Sequence, residues 1–320
     1  MMSAGGCLES LSHQEISVQF MKKCDMTRRK YNMLELKAVT ESYPHTLPLK
    51  DGRVTSDKVH LNFTEFKFAH EAFDDQVENQ PYDVCELAVG TFFQALDFKK
   101  PLRLLPVVCL GSFHHGSIWY DPAQGVVRPE DLKGARVAVR AYTQTTGLWC
   151  RGALQEHFGI SPQDVTWVTT EAPHVAGYES PSNVVRAPEG TKPMDLIASG
   201  DCKAIILGPR NAKGTNLEHV VPNVDEVVEA WRAKHNAIPI NHMVTVTEDM
   251  IQNYPEAVQE VYDMYKKGYE IAKAAGELSP AVRIGQDAVW HTLEVCMDYC
   301  VAQGLTSRKF TKEEVFAPVV

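Results

Sequence analysis

Short apolar runs rich in β-branched residues alternate with helix-patterned stretches along most of this 320-residue chain. That alternation restricts the fold more than any other feature, because strands joined by helical crossovers build a largely parallel sheet covered by helices. The runs "LELKAV" (34–39), "KVHLNF" (58–63), "DVCELAV" (83–89) and "LRLLPVVCL" (102–110) read as strands. Between the second and third, "EFKFAHEAFDDQV" sets Phe66, Ala69, Phe73 and Val77 on one helical face. After the third, "TFFQAL" opens another helix.

A second series starts after "GVVRPEDLKGARVAVR", where "RVAV" is a strand and "TTGLWCRGALQEHFGI" an amphipathic helix whose end, Gly159, is of C-cap type. "DVTWVTT", "PMDLIASG" and "CKAIILGPR" continue it as strand, short helix and buried strand. Residues 170–193 are dense in Pro, Gly, Ser and Asn, and so long a loop is usually functional or mobile. From residue 249 the pattern is helical, with Val258, Val261, Tyr262, Tyr265 and Tyr269 as a core stripe. The order implies an α/β protein of two lobes with a cleft between them and a C-terminal helical return. The expected division is an arm over 1–30, a first lobe over 31–125 and 240–320, and a second lobe over 126–239.

Composition narrows the function classes. A formal charge of −9 argues against a nucleic-acid partner, and the basic "TRRK" at 27–30 reads as a solvated arm. Apolar runs such as "AIIL" (204–207) fall far short of the roughly 20 residues that span a bilayer. The N-terminus lacks a continuous apolar core of secretory type, so the expected location is cytoplasmic. None of the eight cysteines forms a C-x-x-C pair, which leaves buried reduced thiols as their expected state. Dinucleotide, P-loop, serine-hydrolase and H-E-x-x-H signatures are absent, and no cofactor is expected.

Ligands of open α/β sheets sit beyond the carboxyl ends of strands. There the sequence places Tyr43, His45, Thr46 and Arg53 after the first strand, and Glu86 and Thr91 at the third. In the second lobe it places Tyr142, Gln144, Thr145, Thr146 and Arg151, then Arg210. A helix N-terminus preceded by threonines attracts anions, although ordinary capping explains the same residues. The fourth strand leads into "GSFHHGSIWYDPAQGV", with adjacent His114 and His115. On an extended strand neighbouring side chains face opposite ways, so the two do not readily share one metal ion. General acid–base work by one of them and a structural role for both remain open.

The stretch "FHHGSIWYDPAQGVVRPEDLKGARVAVRAYTQTTGLWCRGALQEHFGISPQDVTWV" resembles the central region of the 4,5-dihydroxyphthalate decarboxylase family. Further matches are "YPHTLPLKDGRV", "YDVCELAVGTFF", "IILGPR", "INHMVTVTEDMIQNYPEAV" and "GLTSRKFTKEEVFAP", in order over roughly 32–320. The resemblance implies the type 2 periplasmic-binding-protein fold and a non-oxidative decarboxylase of a hydroxylated aromatic acid, with no organic cofactor.

By the same resemblance His115 maps to the family's histidine, and His114 stands where a basic residue such as arginine is expected. His115 is then the expected general acid, with Glu86 or His242 polarising the phenol. Arg151 and Arg210, with Thr145 and Thr146, are expected to hold carboxylates. His45, Thr46, Thr91, His114, Tyr142, Gln144 and Glu171 complete the expected substrate contacts. His174 and Glu179 lie in the 170–193 loop, read as a lid. The expected partners are a small aromatic carboxylate and further copies of the chain. The alternative is a receptor of the same fold that closes on an aromatic acid without altering it. A thiamine-pyrimidine synthase would carry a cysteine-rich motif that this chain lacks.

Overall fold

In the computed structural model, which describes residues 33–320, two mixed β-sheets carry the chain. The arm expected at 1–30 lies outside the described residues. The strands are β1 Leu34–Val39, β2 Val59–Phe63, β3 Val84–Ala88, β4 Leu102–Gly111, β5 Ile118–Tyr120, β6 Arg136–Val139, β7 Thr166–Thr169, β8 Val184–Arg186, β9 Ala204–Ile206, β10 Glu218–His219 and β11 Ile240–Thr247. Helices of seven residues or more are α1 Phe73–Asn79, α2 Val89–Asp97, α3 Thr145–Phe158, α4 Val224–His235, α5 Pro255–Ala274 and α6 Gln286–Ala302.

The first sheet runs β2-β1-β3-β11-β4, with β1 parallel to both β2 and β3 and β11 antiparallel to both β3 and β4. The second runs β10-β5-β9-β6-β7-β8, with β6 parallel to β7 and β9. Because β5 pairs with β9, the chain enters the second sheet between Gly111 and Ile118. This corrects the lobe boundary expected at 125, which the short strand "IWY" conceals: three residues show no periodicity. The chain returns to the first sheet at Ile240.

Local sequence explains where elements begin and end. The expected continuous helix from 249 breaks at Tyr254, because Pro255 disfavours helical backbone in the residue before it and then serves as the first residue of α5. The helix expected over 65–77 begins later, as a single 3₁₀ turn followed by α1, which leaves Phe66 and Phe68 in extended chain at the sheet edge. Gly159 ends α3 at φ 63°, the left-handed conformation a C-cap glycine supplies.

One continuous apolar core joins the lobes. It includes Phe92 and Phe93 of α2, Leu148, Trp149 and Leu154 of α3, Trp231 of α4 and Tyr299 of α6. Gly152 allows this packing, because a Cβ there would stand 2.2 Å from the Tyr299 ring. Among the described residues no helix is long and apolar enough to cross a membrane.

Candidate active site

The carboxyl ends of β1 and β3, with the start of antiparallel β11, meet at one edge of the first sheet and place a buried acid there. Glu86 of β3 is fully buried, a position a carboxylate tolerates only with full hydrogen bonding. Four donors supply it: His242 Nδ1 at 2.6 Å and Tyr43 OH at 2.7 Å on Oε1, and Glu41 N at 2.9 Å and Thr40 Oγ1 at 3.0 Å on Oε2. Burial alone raises the Glu86 pKa, but the His242, Glu41 and Tyr43 bonds outweigh it and hold the group below its ordinary value. Glu86 is therefore an anion, and it fixes the Nδ1–H tautomer of His242. Among the described residues no group binds His242 Nε2, and the half-buried ring packs edge-on against Phe73 at 5.2 Å between centroids.

Facing this pair across the cleft, the first residue after β6 is Arg140, half-buried and ion-paired with Glu171 at 3.1 Å. Its charge reaches His70 and Asp74 of the first lobe as well as Glu171 and His174 of the second. Burial, then Arg140, lowers the His70 pKa, while burial raises those of Asp74 and Glu171 against the pull of Arg140. The lobes also touch directly. Thr91 Oγ1 lies 2.9 Å from His174 Nδ1, Gly90 N donates to Thr145 Oγ1 at 3.0 Å, and Arg210 Nη1 meets Glu41 Oε2 at 3.4 Å.

The structure thus brings together Glu86, His242, Thr91, Glu171 and Arg210 of the expected residues, and separates others from them. His115 is 3% exposed and packs against Phe113, His157 and Trp231, with no contact to Glu86 or His242 among its ring neighbours. Both its ring nitrogens are unbonded, and burial pushes its pKa down to about 4. This corrects its expected place in the cleft. The two histidines lie in a turn after β4 and do point apart, with His114 Nε2 2.5 Å from Asn241 Oδ1.

Arg151 is corrected likewise. It is fully buried, bonded to Gln303 Oε1 at 2.6 Å and the Tyr142 carbonyl at 2.7 Å, and stacked 4.0 Å over the Tyr142 ring. It clamps α3 to the chain after α6. Tyr142 itself donates to the Gln303 carbonyl. His45, 1% exposed, stacks on Tyr43, and Thr46 folds the turn that aims Tyr43 at Glu86, accepting from Tyr43 N and donating to the Glu41 carbonyl. Thr145 is occupied by Gly90, Thr146 is buried beside it, and Gln144 stands half-buried at the N-cap position of α3. The 170–193 loop is anchored: Ala176 N donates to Glu78 Oε1 at 2.9 Å and Tyr178 OH to the Gly304 carbonyl at 3.1 Å.

Arg140, His70, Asp74, Asn241 and the donor Thr40 are the site residues missing from the sequence expectations, and Tyr43, placed there at the first strand end, had no role assigned. Arg140 is the residue at the carboxyl edge of "RVAV", where the strand-end rule should have singled it out. "INHMVTVT" is rich in β-branched residues, a strand signal for β11 that sequence reading passed over. Among the described residues no group of three or more His, Cys, Asp and Glu side chains is placed to hold a metal ion.

Comparison with known proteins gives this geometry a context. The chain is 32% identical over 193 residues to the 4,5-dihydroxyphthalate decarboxylase of Pseudomonas putida, covering 56% of this chain and 72% of that protein. It is 24% identical over 328 residues to the enzyme of the same name from Comamonas testosteroni, covering 89% of this chain and 97% of that one. Among solved structures, the periplasmic aliphatic sulphonate-binding protein of Escherichia coli superposes with a TM-score of 0.56 at 11% identity, over 89% of this chain and 97% of that one. The two-lobed α/β architecture is therefore that of the periplasmic-binding-protein fold. No family model matches the chain.

Proposed function

The chain belongs to the 4,5-dihydroxyphthalate decarboxylase family, and from that premise we propose that it removes one carboxyl group, without oxidation, from a hydroxylated aromatic acid of the 4,5-dihydroxyphthalate type. The products are CO2 and a protocatechuate-like dihydroxybenzoate.

Loss of CO2 from an arene needs a proton on the carbon that carries the carboxylate. The C–C bond then breaks, CO2 leaves, and the electron pair of that bond restores the aromatic ring. A hydroxyl para to that carbon stabilises the protonated ring. The observation that carries the reading is the Glu86–His242 pair, in which a buried anion holds one imidazole nitrogen and leaves the other free at the cleft. In this reading His242 Nε2 is the general acid, and the Glu86 carboxylate compensates the imidazolium charge. Arg140, and Arg210 on release from Glu41, hold the substrate carboxylates. Phe73, packed edge-on against His242, borders the substrate ring.

The test is CO2 release from 4,5-dihydroxyphthalate. The wild-type chain should release one CO2 per substrate, and His242→Ala should fall about a hundredfold or more. Undiminished turnover by His242→Ala removes that residue from the role. Tight binding without CO2 release across hydroxylated phthalates and benzoates selects the receptor alternative.

The cysteines support a reducing, cytoplasmic setting, since all six described ones are free and buried. A homo-oligomeric working form belongs to the same reading, and sedimentation of the full chain at micromolar concentration tests it.

A further inference from the structure

One polar side chain at the base of the cleft has no part in the proton transfer above. Asn241 directly precedes His242 on β11 and is 7% exposed. The ladder to β4 is irregular there, with register shifts at Ile240, His242 and Met243, whereas the ladder to β3 is regular from His242 to Val246, so Asn241 sits at a bulge just outside the regular pairing. Its Oδ1 lies 2.5 Å from His114 Nε2, a bond between β11 and the turn that leads from β4 into the second sheet. Cys150 Sγ, donating to the His114 carbonyl at 3.2 Å, pins the same turn to α3.

The chemistry of that bond fixes which end of the amide is free. Burial pushes the His114 pKa down to about 4, so the ring is neutral near pH 7 and carries one N–H. His114 Nδ1 is buried without a partner. A bare lone pair there costs less than an orphaned N–H, which puts the proton on Nε2, where it is donated to Asn241 Oδ1. The amide Nδ2 is left over. Among the described residues no group bonds it, and it is not one of the sealed, partnerless polar atoms, so it keeps accessible surface and is free to meet a ligand.

We infer that Asn241, oriented by His114, donates its amide N–H to the carboxylate that stays on the ring, which makes the site selective for aromatic diacids over monoacids. Consecutive Cα atoms stand about 3.8 Å apart, so the two side chains leave the strand within about one ring's width of each other. If His242 serves the carbon that loses CO2, Asn241 is placed for the substituent beside it. The inference rests on the proposed decarboxylation for which carboxylate leaves, but binding selectivity can be measured without turnover. Asn241 is a substrate contact, and His114, which acts through it, is a positioning residue.

The test is calorimetric titration of the full chain with phthalate and with benzoate. The wild type should bind phthalate more tightly. Asn241→Ala and the isosteric Asn241→Asp should each lose about tenfold or more in phthalate affinity, as expected for a hydrogen bond to a charged group, with benzoate changed by less than about twofold. His114→Ala should reproduce the loss, and His114→Gln, which returns an N–H donor, should recover much of it. In turnover the same variants should raise KM for 4,5-dihydroxyphthalate more than they lower kcat. An unchanged phthalate-to-benzoate ratio in Asn241→Asp, or in His114→Ala, overturns the inference. A wild type that selects phthalate through Asn241 yet releases no CO2 overturns the decarboxylase reading and leaves this one standing.

Discussion

His242 Nδ1 and Glu86 Oε1 lie 2.6 Å apart, although 155 residues separate them in the chain and the strands that carry them run antiparallel. The carboxylate is sealed and ionised, and it holds the imidazole by one nitrogen. Glu86→Gln keeps the volume but removes the charge that compensates an imidazolium. We expect kcat to fall about a hundred- to ten-thousandfold with a much smaller change in KM, measured by steady-state CO2 release.

His115 makes the opposite prediction. It sits unbonded among Phe113, His157 and Trp231. Replacing a partnerless buried polar group by an apolar one of similar shape is nearly neutral or stabilising. His115→Phe should therefore keep turnover within about twofold of wild type and hold or raise the melting temperature. A loss of turnover on the scale of the Glu86 variant returns His115 to the reaction.

Acid should destabilise the fold at mildly low pH. Burial pushes His45, His114 and His115 down to about 4 and His174 to about 3. Unfolded histidines titrate near ~6.5, above these folded values. Between those limits the unfolded chain binds protons that the fold refuses, so stability is whole above ~6.5 and is lost as pH falls toward 4. Urea midpoints should be flat from pH 8 to 7 and drop steadily from pH 6 to 4.5. A midpoint unchanged at pH 5 contradicts the neutral state of these rings.

Gly152 bears on stability alone. The Tyr299 ring that a Cβ would strike cannot swing away freely, because its hydroxyl donates to Glu156 Oε1 at 2.7 Å and accepts from Trp231 Nε1 at 3.0 Å. Gly152→Ala should cost roughly 1–3 kcal/mol by overpacking, read from denaturant unfolding.

The fold was legible where periodicity is strong. "LELKAV" and "RVAV" became strands over the whole runs quoted, and Gly159 ended its helix as its type requires. Three-residue strands such as β5 and β8 were not, since so short a run forms a strand only when a neighbour is already in place. The site was half legible. Glu86 could be named because an acid at a strand end is conspicuous. Which histidine meets it depends on β11 arriving from the far end of the chain, and local spacing carries no trace of that. His115 and Arg151 were misplaced for a related reason: a polar residue bound for a cleft and one bound for a buried clamp look alike until packing separates them.

The position of β11 also bears on how the protein is made. The second sheet is contiguous in sequence, from Ile118 to His219, and can close while the ribosome is still adding residues. The first cannot, because β3 and β4 stay unjoined until residues 240–247 insert between them. Contacts of such long sequence separation form late and slowly. Nascent chains therefore carry an open, apolar sheet edge and a Glu86 without its histidine, a form that chaperones would be expected to hold. The reactive pair is assembled by the step that completes the first lobe.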